Sequence, residues 1–120
     1  AKMLGEKLQR HNVTCYLVNT GWVGGPYGVG QRMSLKYTRA MVNAAIAGQL
    51  DNLPAEPHPV FRVLVPRSVP GVPANLLDAR GQWKDPEAYD RAAEDLSARF
   101  RKNFEKFGQV SEEILEAAPA

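Results

Sequence analysis

Residues 13–19, VTCYLVN, are the feature that most restricts how this chain can fold. The run is apolar on both faces apart from Thr14, which is typical of a buried central strand rather than an edge strand. A central strand needs a neighbour on each side. The only other convincing strand is VFRVLV, residues 60–65, and two strands do not make an independently stable sheet. The sequence therefore predicts α/β architecture that is incomplete by itself.

The helical segments are clearer than the strands. A long helix is predicted from an N-cap at Asp85 and Pro86 at its first position to about Phe107, with Gly108 just beyond its end. Its apolar, aromatic face is predicted to pack against the rest of the domain. Other helices are predicted over residues 2–10, from Thr38 to Gln49 and over 111–118, and one helical turn is predicted in PANLLD within the connection 66–81. No internal boundary divides residues 1–120.

Composition excludes several classes of protein. A chain of 120 residues with 44% hydrophobic and 23% charged residues is typical of a soluble globular domain, and its net charge of +2 argues for neither a nucleic-acid nor a membrane partner. The single cysteine, Cys15, lies in an apolar run and is predicted to be a packed small hydrophobe. No leader or membrane span is predicted, so a cytoplasmic location is expected. The chain opens on Ala1, without Met and within a helical pattern, which indicates a piece of a longer protein.

The glycine-rich stretch between residues 21 and 30 has the position of a phosphate-binding loop but the wrong spacing. A Walker A loop requires G-x-x-x-x-G-K-[ST], whereas Gly30 is followed by Gln31 and Arg32. The dinucleotide fingerprint G-x-G-x-x-G also fails, because Gly25, Gly28 and Gly30 give the reversed spacing. Direct phosphate binding by these glycines is therefore disfavoured.

Other chemistry is not apparent from spacing. His11 and His58 lie far apart without Cys, His or paired carboxylates at ligand spacing, so this chain alone is not expected to form a metal site or to supply catalytic residues. The loop carboxylates are expected to be solvated or to cap helices. The residues alone support nothing more specific than contact with an anion or a nucleotide.

A family resemblance adds to this interpretation. The segments YLVNTGW, QRMSLKYTRA, AGQLDN, PGVPANLLDAR and FRKNFEKF resemble the carboxyl-terminal portion of ATP-dependent phosphoenolpyruvate carboxykinase. The resemblance runs from the first helix to about Phe107. It implies part of a mixed α/β nucleotide-binding domain of an enzyme that converts oxaloacetate and ATP to phosphoenolpyruvate, ADP and carbon dioxide in gluconeogenesis.

The resemblance also implies roles for particular residues. The family's segment equivalent to RMSLKYT closes over the nucleotide base, which gives an ATP-binding role to Arg32, Met33 and Thr38. The phosphate-binding loop, the oxaloacetate-binding residues and the ligands of Mg²⁺ and Mn²⁺ are expected upstream, in the part of the enzyme that would be this segment's partner. The glycines then shape a long mobile connection that delivers Arg32 to the base.

Alternatives remain open at this stage. Thr38 stands where a helix N-cap is predicted, so its hydroxyl can bond either the helix's free N–H groups or a ligand. Arg32 can be an ordinary solvated arginine. The chain as a whole can be part of a carboxykinase or a non-catalytic nucleotide-binding or interaction module.

Overall fold

The computed structural model describes residues 2–19 and 21–120. Within them, helices and short antiparallel strands alternate, in agreement with the predicted α/β composition. The elements in chain order are α1 (Lys2–His11), β1 (Trp22–Val23), β2 (Gln31–Arg32), α2 (Leu35–Ile46), β3 (Ala55–Pro57), β4 (Leu64–Pro66), a 3₁₀ turn (Ala74–Leu77), α3 (Pro86–Phe104), a 3₁₀ turn (Glu105–Phe107) and α4 (Glu112–Glu116).

Residues 13–19 do not form the predicted central strand. They pair with no strand among the described residues, and Val13 and Leu17 are 54% and 88% exposed. Cys15 is exposed as well, so its predicted packing is also wrong. The physical reason is that a strand with two apolar faces needs a neighbouring strand on each side, and the described residues supply none.

One side of this segment nevertheless lies over α2. Tyr16 and Val18 line a groove of about 460 Å³ together with Val42 and Ile46. The Tyr16 hydroxyl donates a hydrogen bond to the Asp51 carboxylate. This bond raises the pKa of Tyr16 above its usual value, because the carboxylate stabilises the protonated phenol.

The second predicted strand is displaced along the chain. Residues 60 and 61 lie instead in a turn over 59–61, and the Arg62 N–H that follows, with φ 61°, donates to the His58 carbonyl at 2.8 Å. The strand itself, β4, pairs with β3 in an antiparallel ladder that matches Glu56 with Val65. The β3 strand was missed because its three residues lie between prolines and loop signals, which are typical of a connection rather than of a sheet.

The helices agree better with the sequence. The predicted helix over 2–10 is confirmed as α1, although whether it includes Ala1 lies outside the described residues. The turn in PANLLD and the short helix after residue 111 are also confirmed. Helix α3 begins as predicted, since the Asp85 side chain accepts a hydrogen bond from the Glu87 N–H at 3.0 Å.

Helix α2 begins three residues before its predicted start. Its N-cap position is Ser34, and the Thr38 N–H donates to the Ser34 carbonyl at 3.2 Å. Thr38 is therefore the fourth residue of the helix and not its cap. The helix ends at Ile46, and Gly48, with φ 69°, follows in the left-handed conformation common after helix ends.

The buried interior of the described residues is small. Its apolar members are Ala44 in α2 (2% exposed), Val69 in the loop after β4 (5%) and Ala93 in α3 (5%). The most buried polar residue is Ser97, which is 1% exposed. The aromatic face of α3 is only partly covered, because Phe100 remains 49% exposed although it contacts Phe61 edge to face. The predicted packing of this face is therefore confirmed for Ala93 but not along its length.

Candidate functional site

The glycine-rich stretch is a β-hairpin. β1 and β2 pair in antiparallel register, with Trp22 opposite Arg32 and Val23 opposite Gln31. At the tip, the N–H groups of Val29 and Gly30 both donate to the Pro26 carbonyl, at 3.0 and 2.9 Å. The predicted long mobile connection is therefore a hydrogen-bonded turn between two strands.

Glycine is required at position 30 because the backbone around it leaves no room for a side chain. A Cβ atom there would lie 2.4 Å from the Gly25 carbonyl oxygen and 2.8 Å from that of Val23, both of which are backbone atoms. The close approach of the two strands thus depends on the missing side chain. The glycines shape the hairpin that presents Arg32.

The three predicted site residues lie on the segment that leaves this hairpin and enters α2. Arg32 is the last residue of β2 and is exposed. Met33 is partly buried, and its N–H donates to the Gly21 carbonyl at 3.1 Å. Thr38 lies one turn into the helix. All three residues thus lie on one continuous stretch of the chain. The described residues show no hydrogen bond between the Arg32 and Thr38 side chains.

The Thr38 hydroxyl has an unusual environment. Its Oγ1 atom is shielded from solvent and has no hydrogen-bond partner among the described residues. A buried polar group without a partner is costly, and native proteins rarely keep one without a reason. The described residues therefore leave the hydrogen-bonding capacity of this hydroxyl unused.

The charge around the segment favours an anion. Between residues 31 and 41 there are three basic side chains, those of Arg32, Lys36 and Arg39, and no Asp or Glu. The first turn of α2 also lacks an acidic residue, so the partial positive charge at the start of the helix is uncompensated. The segment therefore carries an excess of positive charge.

Sequence reasoning missed Trp22 as a member of this site. The Arg32 Cζ atom lies 5.8 Å from the centroid of the Trp22 ring, and Trp22 contacts Tyr27 edge to face at 5.3 Å between centroids. The signal that could have found it is the cross-strand pairing of a hairpin, which a long connection does not have.

A second polar cluster surrounds His58. Its Nδ1 accepts hydrogen bonds from the N–H groups of Val60 and Phe61, at 3.1 and 3.2 Å. With Nδ1 an acceptor, the ring proton is on Nε2, which lies 2.8 Å from the Tyr89 hydroxyl oxygen. Burial lowers the pKa of His58 and raises that of Tyr89, and both shifts favour the neutral side chains.

This cluster borders a cavity of about 610 Å³ that also contains two ion pairs. Arg80 binds Asp90 with two hydrogen bonds of 2.9 and 2.8 Å, and Arg67 pairs with Glu56. The bonds from Arg80 lower the pKa of Asp90. Both arginines are thus paired with carboxylates, and Asp78, which also lines the cavity, accepts a hydrogen bond from the Gly81 N–H at 2.9 Å.

Metal ligands are not grouped in this part of the protein. Residues 2–19 and 21–120 contain no set of three or more His, Cys, Asp or Glu side chains placed to hold an ion. In the same residues, no helix has the length and apolar character needed to cross a bilayer.

Comparison with known proteins identifies the family. A family model described as phosphoenolpyruvate carboxykinase matches residues 1–75, and the full-length relatives carry the name phosphoenolpyruvate carboxykinase (ATP). The chain belongs to the ATP-dependent phosphoenolpyruvate carboxykinase family. The resemblance inferred from QRMSLKYTRA and its neighbouring segments is thereby confirmed.

Several carboxykinases are similar over almost the whole chain. The protein from Caldanaerobacter subterraneus subsp. tengcongensis is 51% identical over 119 residues, which is 99% of this chain and 23% of that protein. One from Moorella thermoacetica is 56% identical over 117 residues, or 98% of this chain and 22% of that protein. One from Thermus thermophilus is 51% identical over 120 residues, with coverage of 99% and 23%. The chain thus spans less than a quarter of the length of these carboxykinases.

Proposed function

We propose that this chain is the carboxyl-terminal part of an ATP-dependent phosphoenolpyruvate carboxykinase and contributes to its nucleotide-binding domain. The complete enzyme would convert oxaloacetate and ATP to phosphoenolpyruvate, ADP and carbon dioxide, in the cytoplasm and as a step of gluconeogenesis. Support comes from relatives that carry this name and are about half identical to the chain over nearly all of its length.

In this proposal the segment contacts the adenine base through Arg32, Met33 and Thr38. The guanidinium of Arg32 would lie against the face of the ring, and the thioether of Met33 would pack beside it. The Thr38 hydroxyl would bond a polar atom of the base edge. The observation that carries the assignment is the buried Thr38 Oγ1 without a partner, one helical turn from an exposed arginine.

The remaining chemistry would come from the upstream part of the enzyme. Phosphoryl transfer depends on positioning and on neutralising phosphate charge, for which these enzymes use a phosphate-binding lysine and divalent metal. The residues described here do not fit a metal, since they include no cluster of ligands. We assign the Mg²⁺ and Mn²⁺ ligands and the oxaloacetate site to the upstream part.

A chimera tests the function. The Thermus thermophilus carboxykinase aligns with 99% of this chain, so its corresponding segment can be replaced by this chain. We expect the chimera to form phosphoenolpyruvate from oxaloacetate and ATP, and the isolated chain to form none. Turnover by the pure isolated chain would contradict the division of roles. An inactive but folded chimera, together with ATP binding by the isolated chain, would favour a non-catalytic binding module.

Substitution of Arg32 in the chimera tests the base contact. Arg32→Ala should weaken ATP binding by about 0.5 to 2 kcal/mol, or roughly 2- to 30-fold, because a cation–π contact is lost. Oxaloacetate affinity should change much less. Arg101→Ala, which removes an exposed arginine of α3, is the matched control. Unchanged ATP affinity in Arg32→Ala by calorimetry, or an equal loss for both substrates, would remove Arg32 from the site.

A further inference from the structure

The β1–β2 hairpin places Trp22 and Arg32 side by side. They face each other across the ladder, and the next hydrogen bond along it runs from the Met33 N–H to the Gly21 carbonyl at 3.1 Å. The pair therefore occupies a non-hydrogen-bonded position, where opposed Cβ atoms of antiparallel strands approach most closely and side chains share one face. This geometry results from the register and not from a chance surface contact.

The Arg32 and Trp22 side chains are close enough to interact. The Arg32 Cζ atom is 5.8 Å from the Trp22 ring centroid, within the range of about 6 Å for a cation–π contact. The Trp22 ring is itself braced by Tyr27, whose plane is 89° from that of Trp22. Tyr27 is 85% exposed and Trp22 is 43% exposed, so the more deeply seated ring is the one that contacts the guanidinium.

We propose that Trp22 is a positioning residue for nucleotide recognition, which holds the Arg32 guanidinium in place for the adenine ring. This inference rests on the proposed function of Arg32. A long arginine side chain loses much rotamer freedom when it binds a ligand. An arginine already held on Trp22 has lost part of that freedom before ATP arrives, so less binding energy is consumed in ordering it. Trp22 acts through Arg32 and does not itself contact the base.

Because Trp22 acts through Arg32, the two residues should not act independently. The test uses the chimeric enzyme and four variants: Trp22→Leu, Trp22→Phe, Arg32→Ala and the double variant Trp22→Leu/Arg32→Ala. ATP affinity is measured by calorimetry, and KM is determined separately for ATP and for oxaloacetate. Val29→Ala, at an exposed apolar residue of the same loop, is the control and should leave ATP affinity unchanged.

We expect Trp22→Leu to weaken ATP binding roughly two- to five-fold and to raise KM for ATP alone. Trp22→Phe should restore most of the affinity, since it keeps an aromatic face beside the guanidinium. The double variant should bind ATP no more weakly than Arg32→Ala, because Trp22 has nothing left to position.

Three results would overturn the inference while leaving the base contact of Arg32 intact. They are unchanged ATP affinity in Trp22→Leu, no recovery in Trp22→Phe, and losses that multiply in the double variant. A lower melting temperature of Trp22→Leu with equal KM changes for both substrates would make the role merely structural and would also overturn it. If Arg32→Ala itself leaves ATP affinity unchanged, the proposed base contact fails, and the role of Trp22 fails with it.

Discussion

Among single residues, Thr38 is the one on which the proposed base contact depends most. It lies inside α2, where its hydroxyl caps no helix end, and Oγ1 is buried without a partner among the described residues. A buried hydroxyl without a partner lowers the stability of the ligand-free protein, and a ligand that supplied the missing hydrogen bond would remove this penalty.

This arrangement predicts opposite effects of Thr38→Val on stability and on binding. Valine has a similar shape and removes the unsatisfied hydroxyl, so the ligand-free chimeric enzyme should be equally or more stable, by up to about 1 kcal/mol. ATP binding should weaken by about 0.5 to 1.5 kcal/mol, the usual net value of one hydrogen bond. Melting temperatures and ATP calorimetry measure the two effects.

The control for this prediction is Thr38→Ser, which keeps the hydroxyl and should retain most of the ATP affinity. A Thr38→Val enzyme that melts at lower temperature but binds ATP normally would show that the hydroxyl serves the helix instead.

His58 predicts a pH dependence of stability. Burial lowers its folded-state pKa below the ordinary value of 6.5, and Nδ1 can accept from Val60 and Phe61 only while it is unprotonated. The stabilising contribution is therefore fully present above about pH 6.5 and is lost as the pH falls through the folded-state pKa, since the unfolded state binds the proton first.

Hydrogen exchange of the Val60 and Phe61 amides, corrected for the intrinsic pH dependence, measures this loss in the chimeric enzyme. Their protection should decrease between pH 7 and pH 5. His58→Gln should remove the pH dependence, and His11→Gln, at an exposed position of α1, should preserve it. Protection that is independent of pH in the unmodified enzyme would contradict the prediction.

The location of the candidate site stays a prediction, whereas the structure corrects how the segment around it is built. The segment from Arg32 to Thr38 was recognised through its motif, whereas the N-cap role considered for Thr38 was wrong because α2 begins at Leu35. Trp22 was missed for a different reason. Its contact with Arg32 depends on strand pairing across seven intervening loop residues, and neither residue type nor local periodicity reports such pairing.

At the scale of single elements, α3 illustrates what local sequence can determine. Asp85 accepts a hydrogen bond from the Glu87 N–H, Pro86 occupies the first helical position, and Asp95 and Arg99, four positions apart, form an ion pair at 2.8 Å. All these interactions join residues within a few positions of each other. The strand predictions were wrong because strand pairing is not local: the neighbours of these strands are distant in sequence or lie outside the described residues.

The cap of α3 predicts a specific loss of stability. Asp85→Ala should cost about 0.5 to 2 kcal/mol locally and should lower the hydrogen-exchange protection of the first helical turn by roughly 2- to 30-fold. The accompanying Arg91–Asp85 ion pair, with both side chains more than half exposed, should contribute little. Asp85→Asn separates the two terms, since asparagine also caps helices but carries no charge. Equal losses in both variants would show that the charge, and not the cap, stabilises the helix.

At the scale of the whole molecule, the described residues bury too little to be self-sufficient. Their apolar interior is limited to side chains such as Ala44, Val69 and Ala93, whereas Leu17, Ile46 and Leu35 are 88%, 81% and 70% exposed. The radius of gyration is 15.9 Å, larger than the value of about 14 Å expected for a compact domain of this length. The described residues thus leave much apolar surface uncovered.

We therefore expect the isolated 120-residue chain to lack a cooperative melt. It should aggregate or unfold over a broad temperature range, whereas the chimeric enzyme should melt sharply, because only the latter covers the exposed apolar side chains. Differential scanning calorimetry and circular dichroism distinguish these cases. A sharp, reversible transition of the isolated monomer with equal calorimetric and van't Hoff enthalpies would contradict the prediction.

The β1–β2 hairpin has a consequence for how the family's sequences can diverge. The side of the hairpin on which Arg32 lies is set by its pairing with Trp22 and not by the loop tip between them. Lengthening the loop that joins two strands is inexpensive in closure entropy, since each doubling costs only about 0.6 kcal/mol. Insertions and deletions at residues 26–29 should therefore accumulate among carboxykinases without moving the arginine, whereas the two paired positions on each strand should keep their spacing to the helix that follows.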